Sequence, residues 1–233
     1  MTHSKIVILL GPPGAGKGTQ AELLSERLGL TYVETAKILE EKFRNAKKGE
    51  FVQVNGLKYF LLQEKKLWQT GILCSPPFVT FLLKQKFQEL FDKGKSLLLA
   101  GSPRTLYEGE QEIPFLEKLY GKKNLHVILI ELNEEQSLYR NSHRRICELM
   151  RHPILYAKET VHLTICPLDG SLLLKRKGLD DPKTIKVRLK EYQERTLPFV
   201  EYVKKYGLRV ARVNGNQSVA QVFTDSMKAL NQE

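Results

Sequence analysis

Little in this chain suggests a membrane, a disulfide scaffold or a repeat array. No apolar run approaches the roughly 20 residues that a spanning helix requires, and Met1 to Lys5 leads straight into a predicted strand without the pattern of a secretory leader. Three cysteines, an odd number, do not make a disulfide framework and suit a reducing compartment, so a cytoplasmic protein is expected. No segment repeats and none is of low complexity, which excludes solenoids. His3, His126 and His143 share no metal-binding spacing and read as solvated or core residues. The single tryptophan, Trp68, falls in a charged helical segment with Tyr59, Phe60, Leu61 and Leu67, and is expected to pack a small core belonging to that segment. Cys74 is expected to be a buried small apolar residue.

The composition, 42% hydrophobic and 27% charged over 233 residues, is that of a globular protein with one core and room for appended lobes. A net charge of +11 points to a polyanionic ligand. The basic pairs Lys47-Lys48, Lys65-Lys66 and Lys122-Lys123 and the triplet Lys175-Arg176-Lys177 are scattered along the chain. That scatter favours solvated faces plus a phosphate pocket over a nucleic-acid surface, and a monomer is expected.

Five short β-branched or apolar segments, Ile6 to Leu10, Thr31 to Glu34, Ser96 to Ala100, Leu125 to Leu132 and Arg209 to Val213, alternate with helical patterns. Near-continuous hydrophobicity indicates strands covered on both faces, and long connections imply parallel crossovers, hence a three-layer α/β fold with a parallel five-stranded sheet. Thr19 to Leu28 carries Ala21, Leu23, Leu24 and Leu28 on a predicted core stripe ended by Gly29. Pro182 to Tyr206 is helical in pattern, with Val187, Leu189, Tyr192, Val200 and Val203 apolar and Pro198 expected to kink or break it. Val219 to Leu230 closes the chain at helical spacing. Two stretches fit this rhythm poorly: 35–77 reads as mostly helical and charged, and 146–181 mixes turns with short apolar runs. The expected organisation is a core of residues 1–34, 78–145 and 182–233 with inserts at 35–77 and 146–181, both on the side where such sheets bind ligands.

Between the first strand and the first helix runs GPPGAGKGTQ, residues 11–20. Strand, G-x-x-x-x-G-K, then helix is the phosphate-binding loop arrangement. Its glycines let backbone N–H groups converge on phosphate oxygens, the helix N-terminus adds its dipole, and Lys17 supplies a point charge. Gly18 stands where the usual motif has Ser or Thr, and Thr19 follows it.

With GSPRT at 101–105, RNSHRR at 140–145, VRLKEYQERTLPFVEYV at 187–203 and VNG at 213–215, this loop resembles the adenylate kinases among the nucleoside monophosphate kinases. The resemblance implies a P-loop kinase core, a helical acceptor-binding insert, a lid, and reversible transfer of the ATP γ-phosphate to a nucleoside monophosphate, AMP by family, with Mg²⁺ accompanying ATP. It places ATP on Gly14, Ala15, Gly16, Lys17, Gly18, Thr19 and Arg140, and the acceptor near Thr35, Gly101, Arg104, Glu108, Arg176 and Arg188. Lys17, Arg104, Arg140, Arg144 and Arg188 are the expected catalytic set. Charge stabilisation suffices for this chemistry, with no side-chain nucleophile. Arg140 and Arg144, four residues apart in a predicted helix, are expected to share one face.

The acceptor side departs from the family. Its Thr-Gly-Asp segment and following Arg become TAKILEEKFR, with Lys37 for the Asp and Glu40 for the Arg. A carboxylate there repels a monophosphate, and Lys37 or Arg44 is expected to compensate. Ala100 replaces the Asp of the family's strand end, and Glu108 replaces a Gln that faces adenine; either Glu108 suits a base edge rich in donors such as guanine, or this segment is solvated and no longer reads a base. These departures leave a second reading open, an ATP-binding, kinase-derived protein with little phosphotransfer in a regulatory or nucleic-acid-associated role. In the lid, Cys147-x-x-Met150 and Cys166-x-x-Asp169 keep the spacing of the family's structural zinc site. Cys147, Cys166 and Asp169 with His152 or His162 would make a zinc set, while apolar packing alone would make a metal-free lid.

Overall fold

The computed structural model describes residues 5–150, 153–154, 158, 160–175 and 180–231. Five parallel strands form the central sheet: β1 (Ile6–Leu10), β2 (Thr31–Glu34), β5 (Leu97–Ala100), β6 (Leu125–Glu131) and β10 (Val210–Asn214), in the order β10-β6-β1-β5-β2. Register pairs Ile6 with Leu97 on one side of β1 and with Leu125 on the other. Every residue of β1 is buried because alternate side chains point to opposite, equally covered faces. Ile6, Ile8 and Leu10 join Phe78, Phe87, Ile113 and Phe199. Val7 and Leu9 join Ala21, Leu24, Val222 and Leu230. Burying each large apolar side chain contributes roughly 1.5–3 kcal/mol, so β1 alone contributes on the order of 10 kcal/mol before chain entropy is set against it.

The first of these faces is covered by α4 (Pro76–Asp92), α5 (Leu106–Tyr120) and α8 (Leu197–Lys205), the second by α1 (Lys17–Leu28) and α9 (Val219–Asn231). Gly29, in the left-handed conformation, ends α1, while Leu23 points outward at 37% exposure and leaves the core stripe to Ala21 and Leu24. The segment 182–206 divides into α7 (Pro182–Glu191), one π turn over Tyr192–Thr196, and α8. The break precedes Pro198, which sits in the first turn of α8. There its missing N–H costs nothing, and the turn behind it widens to spare the ring a clash with the carbonyl of Glu194. Val187 is largely exposed and Ile185 takes the buried position on α7.

Between β2 and α4 lie α2 (Thr35–Arg44), the hairpin β3 (Phe51–Val54) and β4 (Leu57–Phe60), and α3 (Leu61–Thr70). The hairpin was not expected in a segment read as helical. Asn55 and Gly56, both at positive φ, supply the turn that pairs its strands. Trp68 does not close a separate small core: it packs against Phe43 in the cluster that continues into the main sheet. Cys74 is buried as expected. After α6 (Glu134–Ser142), β7 (Arg145–Cys147), β8 (Pro153–Ile154) and β9 (Leu173–Leu174) form a small antiparallel sheet. No helix among the described residues is long and apolar enough to cross a membrane.

Candidate active site

A cavity of about 1130 Å³ opens at the carboxyl ends of the central strands. One wall is the 11–19 loop, which leaves β1 and enters α1 at Lys17. Gly14 has φ +80°, and a Cβ there would lie 2.6 Å from Asn141 Nδ2, so only glycine fits. The loop is braced from α6, where Ser137 Oγ donates to the Pro13 carbonyl at 2.5 Å and Asn141 Nδ2 donates to the Ser137 carbonyl at 2.7 Å. Lys17 Nζ donates to the carbonyls of Gly11 and Pro12, at 2.6 and 2.8 Å, across the mouth of the loop.

Burial pushes the Lys17 ammonium well below its ordinary value, and the positive charges of Arg104, Arg188 and Arg144 push it further the same way. Three arginines from three separate parts of the chain thus crowd one lysine. Such a concentration of positive charge at one cavity fits the point where polyphosphate charge would gather. Arg140, its pKa lowered by burial, also lines the cavity, as do Ala15, Gly16, Gly18, Thr19, Thr35, Gly101 and Glu108. The helix carrying Arg140 ends at Ser142, so Arg144 lies just beyond it in the turn before β7, and the two arginines do not share one helical face. Arg144 is held there by Asp180, which accepts from Nε at 3.1 Å and from Nη2 at 2.6 Å, and by Asn141.

On the other side, Lys37 lines the cavity and pairs with Glu34 at 3.1 Å, whereas Glu40 and Arg44 are exposed and lie outside the lining. Neither the expected repulsion from Glu40 nor compensation by Arg44 finds support in this placement. Glu108 is 2% exposed, and its Oε2 accepts the Arg104 backbone N–H at 2.6 Å, so the carboxylate faces the 102–105 turn as much as the cavity. Arg176 and His152 lie outside the described residues. Gly71, which ends α3, leans on α7, where a Cβ would fall 2.8 Å from Thr184 Cγ2 and 3.1 Å from Arg188 Cγ. Leu73 N–H donates to Glu191 Oε2 at 3.1 Å, so the loop leaving α3 rests on the helix that carries Arg188.

Outside the cavity, Cys147 Sγ, Cys166 Sγ and an Asp169 carboxylate oxygen lie within 4.8 Å of one another, and both thiols are buried. Cys147 Sγ donates to Asp169 Oδ2 at 3.0 Å, and this bond with those from Ser171 holds the Asp169 carboxyl below the usual range. Among the described residues no histidine joins this group, and Met150 is largely exposed. Sequence reasoning missed Asp180, Glu191 and the buried Glu112, because none has a local motif and each acquires its partner through the fold.

A glycine cradle behind a buried parallel strand, with a lysine and converging arginines over a large cavity, defines a P-loop phosphotransferase. The family model for adenylate kinase matches residues 9–208. The adenylate kinase of Chlamydia pneumoniae is 33% identical over 230 residues, covering 99% of both chains. That of Caldicellulosiruptor saccharolyticus is 34% identical over 97% of this chain and 99% of its own. That of Methanothrix thermoacetophila is 31% identical over 96% of this chain and 97% of its own. The chain therefore belongs to the adenylate kinase family, phosphotransferases with a phosphate group as acceptor.

Proposed function

We propose that the protein transfers the γ-phosphoryl group of ATP to a nucleoside monophosphate, reversibly, with AMP as the first acceptor to test because the relatives are named adenylate kinases. The observation that carries this is the meeting of Lys17, Arg104, Arg144 and Arg188 over one cavity. In the reaction an acceptor phosphate oxygen bonds to the γ-phosphorus as the bond to the β,γ-bridging oxygen breaks. Fixed cations gain most where charge accumulates in that transition state. Gly14 to Thr19 and Arg140 take the donor. Thr35, Gly101, Arg104, Glu108 and Arg188 form the acceptor side, and the family resemblance assigns Arg176, outside the described residues, the same role.

The 35–77 segment serves as the acceptor lobe and 146–181 as the lid, closing to exclude water. Mg²⁺ would arrive with the nucleotide and screen its phosphates. Gly18 and Ala100 offer it no side-chain ligand, which leaves the Thr19 hydroxyl as a side-chain donor at the loop. Cys147, Cys166 and Asp169 would supply three of the four ligands of a structural zinc in the lid, and the fourth falls to His152, outside the described residues. A cytoplasmic location fits three cysteines that form no disulfide, and a monomer is proposed with it.

The test is ADP formation from ATP with AMP, GMP, CMP, UMP and dTMP in turn. Turnover with one or more acceptors is expected. ATP binding with no turnover on any of them would overturn the proposal in favour of a kinase-derived binding protein.

A further inference from the structure

Behind the acceptor side, two acidic residues are buried one helical turn apart on α5: Glu108 at 2% exposure and Glu112 at 0%. Between them stands the hydroxyl of Ser102, itself 2% exposed. Ser102 Oγ lies 2.9 and 3.1 Å from the two Glu112 oxygens and 3.4 Å from Glu108 Oε2. The same Glu108 oxygen accepts the Arg104 N–H at 2.6 Å, Thr105 Oγ1 accepts the Glu108 N–H at 3.2 Å, and Thr196 Oγ1 donates to the Arg104 carbonyl at 2.7 Å. The backbone of Arg104 is therefore fixed from both sides, and one of its two anchors ends at Glu112.

Resting on the kinase reading, we propose that Glu112 is a positioning residue for phosphoryl transfer, acting through Ser102 and Glu108 on the turn that carries Arg104. Glu112 does not line the cavity. Its effect passes through a hydroxyl that has one proton and two carboxyl groups within reach, so both contacts are hydrogen bonds when one carboxyl supplies a second proton. Glu112 is that carboxyl. Burial pushes both carboxyls up, but Glu108 also accepts the Arg104 N–H and faces Arg104 and Arg195, which favour its charge, whereas Glu112 has the negative Glu108 against it and the Ser102 hydroxyl and Lys84 of α4 in its favour, and is pushed further. The Cys74 thiol, also near Glu108, is pushed up to about 12 and stays neutral. The neutral Glu112 carboxyl donates to Ser102 Oγ, which donates to Glu108, which accepts from Arg104. Ionising Glu112 reverses the first link and places a second negative charge beside Glu108, so the turn loses its anchor.

The test compares the full chain with Glu112→Gln, whose amide still donates, and Glu112→Leu, which does not. Infrared difference spectra at neutral pH are expected to show a protonated-carboxyl C=O band that Glu112→Gln lacks. Glu112→Leu is expected to lower kcat/KM for the acceptor about tenfold and to leave the KM for ATP within about twofold. Glu112→Gln is expected to recover that loss and to flatten the fall of the wild-type profile on the alkaline side of the ordinary carboxylate range. Spectra that superimpose in the carboxyl region would overturn the proposal, as would a Glu112→Leu variant that weakens ATP and acceptor alike or neither. If Glu112→Leu does not fold, the spectrum and pH profile of Glu112→Gln decide alone. Failure of the kinase reading is separable: the wild-type chain would show the band and turn over no monophosphate.

Discussion

Arg144 and Asp180, 36 residues apart in sequence, meet in a two-point ion pair in which the Asp180 side chain is 2% exposed and that of Arg144 22%. The pair fixes a cavity arginine to the start of the return path from the small antiparallel sheet to α7. Removing one partner leaves the other poorly solvated and unpaired, which costs more than the net worth of the pair. Asp180→Ala is therefore expected to lose about 2 kcal/mol of stability, roughly 4–8 °C in Tm for a chain of this size. Thermal unfolding measures the stability, and the KM for ATP reports whether Arg144 has moved.

Lys17 stands at the centre of the cationic cluster. Lys17→Met is expected to lower kcat by about 10²–10³, the usual cost of losing one preorganised electrostatic donor. Its stability should hold or rise, because a buried ammonium beside three arginines is removed. Steady-state rates and thermal melts on the same preparation test both directions.

The Glu112 carboxyl is held well above its ordinary value of 4.5, by burial first and by the charge of Glu108 second. The unfolded chain gives up this proton at a lower pH than the folded one. Between the two values the folded state binds more protons, and stability falls as pH rises. Each pH unit in that window costs about 1.4 kcal/mol per proton. Glu112→Gln cannot ionise, so its Tm relative to wild type is expected to climb as pH rises above the ordinary carboxylate range and to be flat below it. A Tm difference constant with pH would show that Glu112 titrates as an ordinary carboxyl.

Zinc content offers a direct measurement on the lid. Protein purified without chelator is expected to carry about one zinc per chain, and chelation is expected to lower its Tm. Cys147→Ser and Cys166→Ser should each abolish the metal. Only trace zinc in the wild-type protein would leave the lid held by packing alone.

Gly109 is a further mutational site, and nothing in the sequence marks it. A Cβ there would fall 2.1 Å from the Phe199 ring, so α5 and α8 meet through the missing side chain. Gly109→Ala is expected to cost about 1–3 kcal/mol through forced displacement of Phe199, visible in denaturant midpoints.

The legible parts of this protein are those whose cause is local. β1 announces itself because both faces are covered, and the 11–20 loop because close approach to phosphate needs glycine and a lysine at fixed spacing. The β3–β4 hairpin was missed although Asn55-Gly56 signals it, since the surrounding charges suggested helix more strongly than two short strands suggested pairing. Arg144 was placed on a helical face that Ser142 ends before it. Asp180, Glu64 and Glu112 stayed hidden for a common reason. An acidic residue on a helix or loop reads as solvated until the fold supplies a burial partner, as Glu64 finds in the N–H and hydroxyl of Ser75.

The contact of Gly71 and Leu73 with α7 bears on how such enzymes can be recombined. A loop that rests on Thr184, Arg188 and Glu191 is part of the bearing for the cavity-lining Arg188, although by sequence it belongs to the 35–77 lobe. An exchange of that lobe with a relative would cut through the bearing. The natural unit of transplantation therefore runs from the lobe through α7, two segments distant in the chain that have to be inherited together.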